Sequence, residues 1–448
     1  MKKHPITDTP RLYILLLVIL AFTGLKAHAA GNFYQQHNLV ANLSGNADVT
    51  DANLVNPWGI AFNPFGPVWV ADNGSGVSTL YNGTGTQNSL IVQIPSPGAP
   101  NGGHPTGIVF NGSTEFTVSA TGGTSASSRF IFATEEGAIA GWAPTVDQTH
   151  AIIVVDNSAS SGAIYKGLAL SANGTGNLLY ATDFHNNKVD VFDSAFKPVT
   201  LTTGAFTDPN IPAGFAPFGI QAIGGNLYVS YAKQDDNKED DVKGNGLGFV
   251  NVFDPSGKLI KRVVSQGRLN APWGMALAPA GFGKFGNHLL IGNFGDGFIN
   301  AYDPATGQFA GQLTSANGNP VKIDGLWGLA FGNGFANQPV NTLFFSAGPN
   351  NEQNGLYGRI EAQDSQSSTE CLFNWAESIF SGLFAPAGSS TIVGPVYSYR
   401  FYSATRTYLA VSSQNNHLYY FDPSGNRQDA GPVSGWLSQA GCDRVNAG

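Results

Sequence analysis

The chain has 448 residues, of which 42% are hydrophobic and only 12% charged, with 57 glycines, two cysteines and a formal net charge of -8. This composition supports a large core joined by many tight turns rather than long helices. No Lys/Arg cluster lies beyond the extreme N-terminus, which excludes a nucleic-acid footprint.

At the N-terminus, Lys2 and Lys3 precede the apolar stretch "RLYILLLVILAFTGL", followed by the small residues "AHA" at 27 to 29. Residues 1–29 read as a secretory signal peptide that is removed from the mature protein. Their apolar run is shorter than the roughly 20 residues a spanning helix needs, so no membrane span is expected after cleavage. The expected location is secreted or periplasmic, an oxidising setting in which Cys371 and Cys442 are free to pair.

Beyond residue 33 one phrase returns six times: Pro57-Trp58-Gly59, Pro105-Thr106-Gly107, Tyr165-Lys166-Gly167, Pro217-Phe218-Gly219, Pro272-Trp273-Gly274 and Leu326-Trp327-Gly328. The spacing, about 48 to 60 residues, is that of propeller blades rather than helical solenoids. Each opening runs into a short apolar strand such as "GIAF" or "GMAL". A second follows ("VWVAD", "LLIGN") and then a third ("VSTLYN", "FINAYD"). Fourth strands are plainest at "LIVQIP" (90–95) and "IIVV" (152–155). Four strands in each of six repeats predict an all-β fold, a six-bladed β-propeller over 33–361. The sixth copy ends after "GLYGRIEAQ", and "FYQQHNLVANL" (33–43) is expected to supply its missing strand and close the ring. Strict alternation in "WGIAF" places Trp58, Ile60 and Phe62 on one face, wedged between blades, with Gly59 and Ala61 on the other. After a linker at 362–370 comes a small α+β module, 371–442. It has a helix at "CLFNWAESIFSGLF", three strands at "VYSYRFYS", "TYLAVSS" and "HLYYFD", and a closing helix at "VSGWLSQAGC". A Cys371–Cys442 disulfide would tie its ends together, worth about 4 kcal/mol on the chain-entropy account.

No HExxH, GxSxG, Walker or CxxC motif is present, so function must be sought in geometry. In a propeller the openings of the inner strands and the hairpins between second and third strands meet around one channel mouth. Asp72, Asp183 and Asn293 share one repeated position and are expected to cap hairpin backbone. Asp254, Asp303 and Asp422 form turns. Residues that break the repeat are the ligand-binding candidates: His104, Lys166, Asp183, His185, Lys233, Asp235, Asn293 and Asp296. Of these, His104, Asp183 and His185 could hold a divalent metal, and Lys166 or Lys233 could move a proton. The run Asp235 to Asp241 alternates like a calcium loop, but Asp240 stands where that loop needs glycine, so no EF-hand is expected. Trp58, Phe218, Trp273 and Trp327 could stack on sugars, although their parity favours packing.

The phrases "GGHPTGIVF", "ATDFHNNKVDVFD", "LYVSYAKQDD", "LLIGNFGDGFINAYDP" and "GLWGLAFGNG" resemble a family of secreted bacterial six-bladed propellers related to NHL and YVTN-type repeats and found partly in exosortase-sorted proteins. That resemblance spans roughly 33–361 and implies fold and export but no activity. This chain lacks the sorting tail and ends in the cysteine-bounded module, which is similar to a short domain appended to other secreted bacterial proteins. The expected function is binding of a small molecule, glycan or protein partner at the channel mouth. The alternatives are a metal-dependent hydrolase or lyase of the lactonase or amidating-lyase kind, and a structural protein of the envelope or matrix. The metal ligand pattern of the lactonases does not occur here.

Overall fold

The computed structural model describes residues 33–363 except 316 and, further on, 368–379, 384, 392–393, 397–402, 405–412 and 414–440. The signal-peptide expectation lies outside the described residues, as do Cys442 and the side chain of Cys371, and with them the expected disulfide. The chain divides into two compact units, Phe33–Gln363 and the residues from Asp364 onward.

The first unit is built almost wholly of strands, because its short runs of Val, Ile, Leu and aromatic residues are cut every few positions by glycine and Asx turns. The strands form antiparallel sheets that begin at Pro57–Phe62, Pro105–Phe110, Tyr165–Ala172, Phe215–Ile223, Pro272–Leu277 and Leu326–Phe331. Each of these first strands lies beside the first strand of the next sheet, and Leu326–Phe331 returns to Pro57–Phe62, so the propeller-like ring closes on itself. Closure is completed at the rim, where Phe33–Ala41 pairs antiparallel with Leu356–Gln363, from Phe33 opposite Gln363 to Ala41 opposite Leu356. The far side of Phe33–Ala41 is the outer edge of this sheet, paired among the described residues only at Val40 and Ala41 with Val49–Thr50. Fourth strands differ from expectation at two places. In the first sheet only Val92–Gln93 pairs, and the third sheet stops at Lys188–Phe192 with a single bridge from Phe192 to Pro198.

Apolar clusters fill each gap between neighbouring sheets, as in Trp69, Phe130, Phe132 and Trp142 between the first and second. The recurring glycine explains how the sheets approach so closely at the centre. A Cβ on Gly219 would lie 2.2 Å from the carbonyl oxygen of Trp273, and one on Gly274 would lie 2.3 Å from that of Trp327. On Gly328 it would lie 2.6 Å from the Trp58 oxygen, which completes the circuit. These neighbours are backbone atoms and cannot swing away. Gly219→Ala is therefore expected to destabilise the ring by about 3 kcal/mol, the upper end for overpacking. Urea unfolding followed by tryptophan fluorescence measures this, and an unchanged midpoint would contradict the packing described.

The same crowding overturns the expected alternation. Register shifts interrupt the first strand pair near its start, between Pro57 and Ile60 and likewise between Pro217 and Ile220, Pro272 and Met275, and Leu326 and Leu329. Such bulges turn the intervening side chain out of the pleat. Trp58, Phe218, Trp273 and Trp327 are thus not wedges between blades. They meet one another in a single buried cluster with Phe184 and Phe294.

The second unit contains helices Ser368–Ile379 and Val433–Ala440 and one sheet. The three expected strands are joined by Ile392–Val393 at one edge and Arg427–Pro432 at the other, both too short or too polar to stand out by pattern.

Candidate functional site

The second residue of each repeated opening reaches the same circle: Trp58, Thr106, Lys166, Phe218, Trp273 and Trp327. The aromatics close over the ring's axis. Trp58 and Trp327 stack with centroids 3.6 Å apart, Phe294 stacks on Trp327 at 3.8 Å, and Trp273 meets Trp58 edge-on at 6.0 Å. Trp273 crosses from the fifth sheet to donate its indole N–H to the Lys166 carbonyl at 2.8 Å. Beneath this plug the inner strands leave a cavity of only about 30 Å³. Whatever binds on the axis therefore binds above the plug.

Above it the hairpins between second and third strands converge, and each contributes. Asn73 comes from the first sheet, Glu135 from the second, Phe184 from the third, Asp240 and Asp241 from the fourth, Phe294 from the fifth and Glu352 from the sixth. The fourth hairpin is the longest. Its base is pinned by Asp235, whose side chain accepts from the Glu239 backbone N–H at 2.9 Å, and by Gly244 N–H donating to Asn270 at 2.7 Å. Glu352 is lifted to the mouth by three successive residues in the left-handed region, Asn350, Asn351 and Glu352, with φ of 58°, 52° and 66°. Non-glycine residues reach that region at some cost in strain.

Lys166 is the centre of this assembly. It is 1% exposed, its ammonium donates to Glu135 at 2.5 Å and Asp240 at 2.9 Å, and it lies 5.2 Å from the Trp58 ring centroid. Burial by itself would lower its pKa, but the two carboxylates outweigh that and hold the ammonium above the ordinary lysine range. The network runs on from Glu135 to the Asn73 amide at 2.8 Å, from Asn73 to Asn56, and from Asn56 to Glu352 at 2.9 Å. Lys243 covers Phe294 at 4.1 Å.

Two buried polar atoms beside this network have no hydrogen-bond partner among the described residues: Oδ2 of Asp241 and the indole Nε1 of Trp58. Burial pushes the Asp241 carboxyl up to about 7. Lys166 and Lys243 pull against that shift, while Glu352 and Asp240 add to it. Glu352 is also raised, chiefly by burial and against its hydrogen bond from Asn56.

Of the residues singled out in the sequence, Lys166 takes the central place. His104 lies at the rim, where its ring and backbone N–H engage Glu136. That bond is the main reason its pKa is raised. Asp183 caps its hairpin, accepting from the Asn186 side chain at 2.8 Å and facing Lys188 at 3.5 Å. His185 is half-buried on the same turn, its Nδ1 without a partner among the described residues. Lys233 lies against Phe215, its ammonium 5.8 Å from the ring centroid. Asn293 and Asp296 hold one another at 3.1 Å, and Asp296 also accepts from Asn270. His104, Asp183 and His185 thus have separate surroundings, and among the described residues no three His, Cys, Asp or Glu side chains come together as a metal would require. Asp72 and the Asp254, Asp303 and Asp422 turns accept backbone N–H groups as their pattern implied.

The chain is 35% identical over 330 residues to "Uncharacterized protein R648" of Acanthamoeba polyphaga mimivirus, covering 72% of this chain and 78% of that protein. It is 34% identical over 334 residues to "Uncharacterized protein L690" of the same virus, covering 72% and 84%. The chain belongs to their family. Membership of the R648 family brings no activity with it, and no family model matches the chain. Among solved structures, α-L-arabinanase of Penicillium chrysogenum complexed with arabinobiose is similar at 11% identity and a TM-score of 0.46, over 73% of this chain and 98% of that one. Virginiamycin B lyase from Staphylococcus aureus with quinupristin is similar at 14% and 0.44, over 74% and 99%. At those values the likenesses carry no argument about the chemistry of the R648 family.

Proposed function

We propose that this protein is an exported six-bladed β-propeller that binds a small hydroxylated molecule above its aromatic plug. The observation that carries the reading is the pair of unpartnered polar atoms, Trp58 Nε1 and Asp241 Oδ2, beside the satisfied Lys166 network. Buried polar groups almost always have partners, and leaving one unmade costs free energy. An indole N–H asks for an acceptor and a protonated carboxyl offers a donor, which a ligand hydroxyl can match in both directions. The aromatic floor offers C–H contact to the rest of such a ligand.

The test is a thermal-shift panel of neutral sugars, polyols and sugar lactones at pH 5.5, followed by calorimetry on the compounds that stabilise. Asp241→Leu and Trp58→Phe are expected to weaken binding by roughly tenfold or more, since each keeps much of the side-chain volume but leaves one hydrogen bond of a buried ligand unmade. No stabilising compound in the panel, or binding unmoved by both substitutions, would overturn the proposal.

A hydrolase or lyase at the same place is supported by one feature, the Asp241 carboxyl held near neutral, where a general acid or base works best. It calls for no metal at His104, Asp183 and His185. Turnover of a panel lactone with a rate that bends near pH 7 and is lost in Asp241→Asn would favour this second reading.

A further inference from the structure

The sheet of the second unit has one face packed against its two helices and the other lined with aromatic rings. Tyr402, Leu409, Val411 and Leu418 pack with Leu372, Phe373 and Ala376 of the first helix and with Val433 of the second. Strand alternation then sends Tyr397, Tyr399, Phe401, Tyr408, Tyr419 and Phe421 to the opposite face. Phe401 stands opposite Tyr408, which stands opposite Phe421, while the small Ala410 separates Tyr399 from Tyr419. The rings form a continuous platform. Phe401 and Tyr408 are 4.5 Å apart between centroids, Tyr399 and Tyr408 6.3 Å, Tyr408 and Phe421 6.4 Å, and Tyr397 and Tyr419 6.0 Å. All but Tyr419 are half-buried rather than sealed. Its margin is polar. The Arg427 guanidinium lies 4.9 Å over Tyr419 and 3.5 Å from the Tyr397 hydroxyl, and His417 meets Asp429 at 2.9 Å.

The charge of this unit narrows what such a platform can hold. From Asp364 onward the four cations Arg400, Arg406, Arg427 and Arg444 stand against the six anions Asp364, Glu370, Glu377, Asp422, Asp429 and Asp443, so four against six leaves a formal net charge of only -2, and lysine is absent. A phosphate polymer would find no counter-charge here. A strongly basic or acidic peptide would find none either. Tyrosine hydroxyls, an arginine and a His–Asp pair around aromatic faces match a neutral ligand that alternates C–H surfaces with hydroxyl groups. We infer that this face binds an extended neutral polysaccharide, separately from the site on the ring's axis.

The full-length protein is to be tested by sedimentation with microcrystalline cellulose and with chitin, and by gel retardation in hydroxyethylcellulose. Wild type is expected to be retained, and Tyr399→Ala/Tyr408→Ala to lose about tenfold or more in affinity, as truncated aromatic anchors do. Tyr408→Phe keeps the ring and is expected to keep most of the binding, and Asp241→Leu to keep all of it. Both platform positions lie outside the apolar core, and an unchanged melting curve checks that the double variant is folded. The inference is overturned by absence of retention in all three polymers, or by a double variant retained like wild type. It is overturned equally by a dimer in sedimentation velocity that the double substitution dissolves, because the face would then belong to a second copy.

Discussion

Lys166→Met is expected to lower the stability of the ring unit by about 3 kcal/mol, the low end for removing one partner of a buried ion pair. The methionine fills much of the same volume, so the loss is electrostatic rather than a cavity. Glu135 and Asp240 would face each other without the cation between them. Glu135 is only 27% exposed at its side chain, whereas Asp240 is 74% exposed and recovers water readily, which is why the value falls at the low end. Lys166 is held between hairpins of the second and fourth sheets while itself belonging to the third, so the loss spreads over three of the six sheets. Urea unfolding at pH 7 measures it. The added substitutions Glu135→Gln and Asp240→Asn remove the unbalanced charge and are expected to restore at least half of the stability. If the single and triple variants unfold at the same midpoint, the cost comes from packing and the electrostatic account of Lys166 fails.

The closed ring was legible because it is written in a repeat: the glycine of each opening recurs wherever one inner strand must touch the backbone of the next. Lys166 was legible as the odd residue at that position, where its sisters are Trp, Thr and Phe. The carboxylates that hold it were not. The repeat pattern points to the cap at the end of each second strand, Asp72, Asp183 and Asn293, whose side chains turn back onto their own hairpins. It is the residue after the cap that reaches the mouth: Asn73, Phe184 and Phe294, with Glu135 following Thr134 in the same way. That offset of one follows from the turn, since the cap must face backward to accept N–H groups and its neighbour is then directed to the axis. Glu352 carried no such signal, because its hairpin is displaced by the left-handed run at 350–352. The aromatic openings were misplaced for a related reason. Period-two alternation assumes an unbroken pleat, and the bulge after Pro57 and its equivalents breaks it at the one residue that mattered.

Asp241→Asn is expected to remove a pH dependence that the wild-type protein carries between pH 4 and 7. The Asp241 carboxyl has an ordinary value of 3.8 and is pushed up to about 7 in the folded protein, first by burial and then by Glu352 and Asp240. Between those two values the folded state holds a proton that the unfolded chain has released, so stability falls as pH rises through the window and levels off above it. The full difference is at most about 4 kcal/mol, from roughly three units at 1.36 kcal/mol each. Asparagine keeps the shape of the protonated acid without the ability to ionise. The two proteins should therefore unfold together at pH 4 and diverge until, at pH 8, the variant is the more stable by about 3 kcal/mol. Glu352 is displaced in the same direction and remains in both proteins, so the effect of its burial cancels, while its repulsion with Asp241 is part of the difference measured. Paired urea titrations across this range provide the measurement, and parallel curves would show that Asp241 is ionised in the folded state. The same proton links stability to binding. A ligand hydroxyl that accepts from the protonated carboxyl loses its donor above pH 7, so affinity in calorimetry should decline there, whereas one that only donates should bind more tightly as the carboxylate forms.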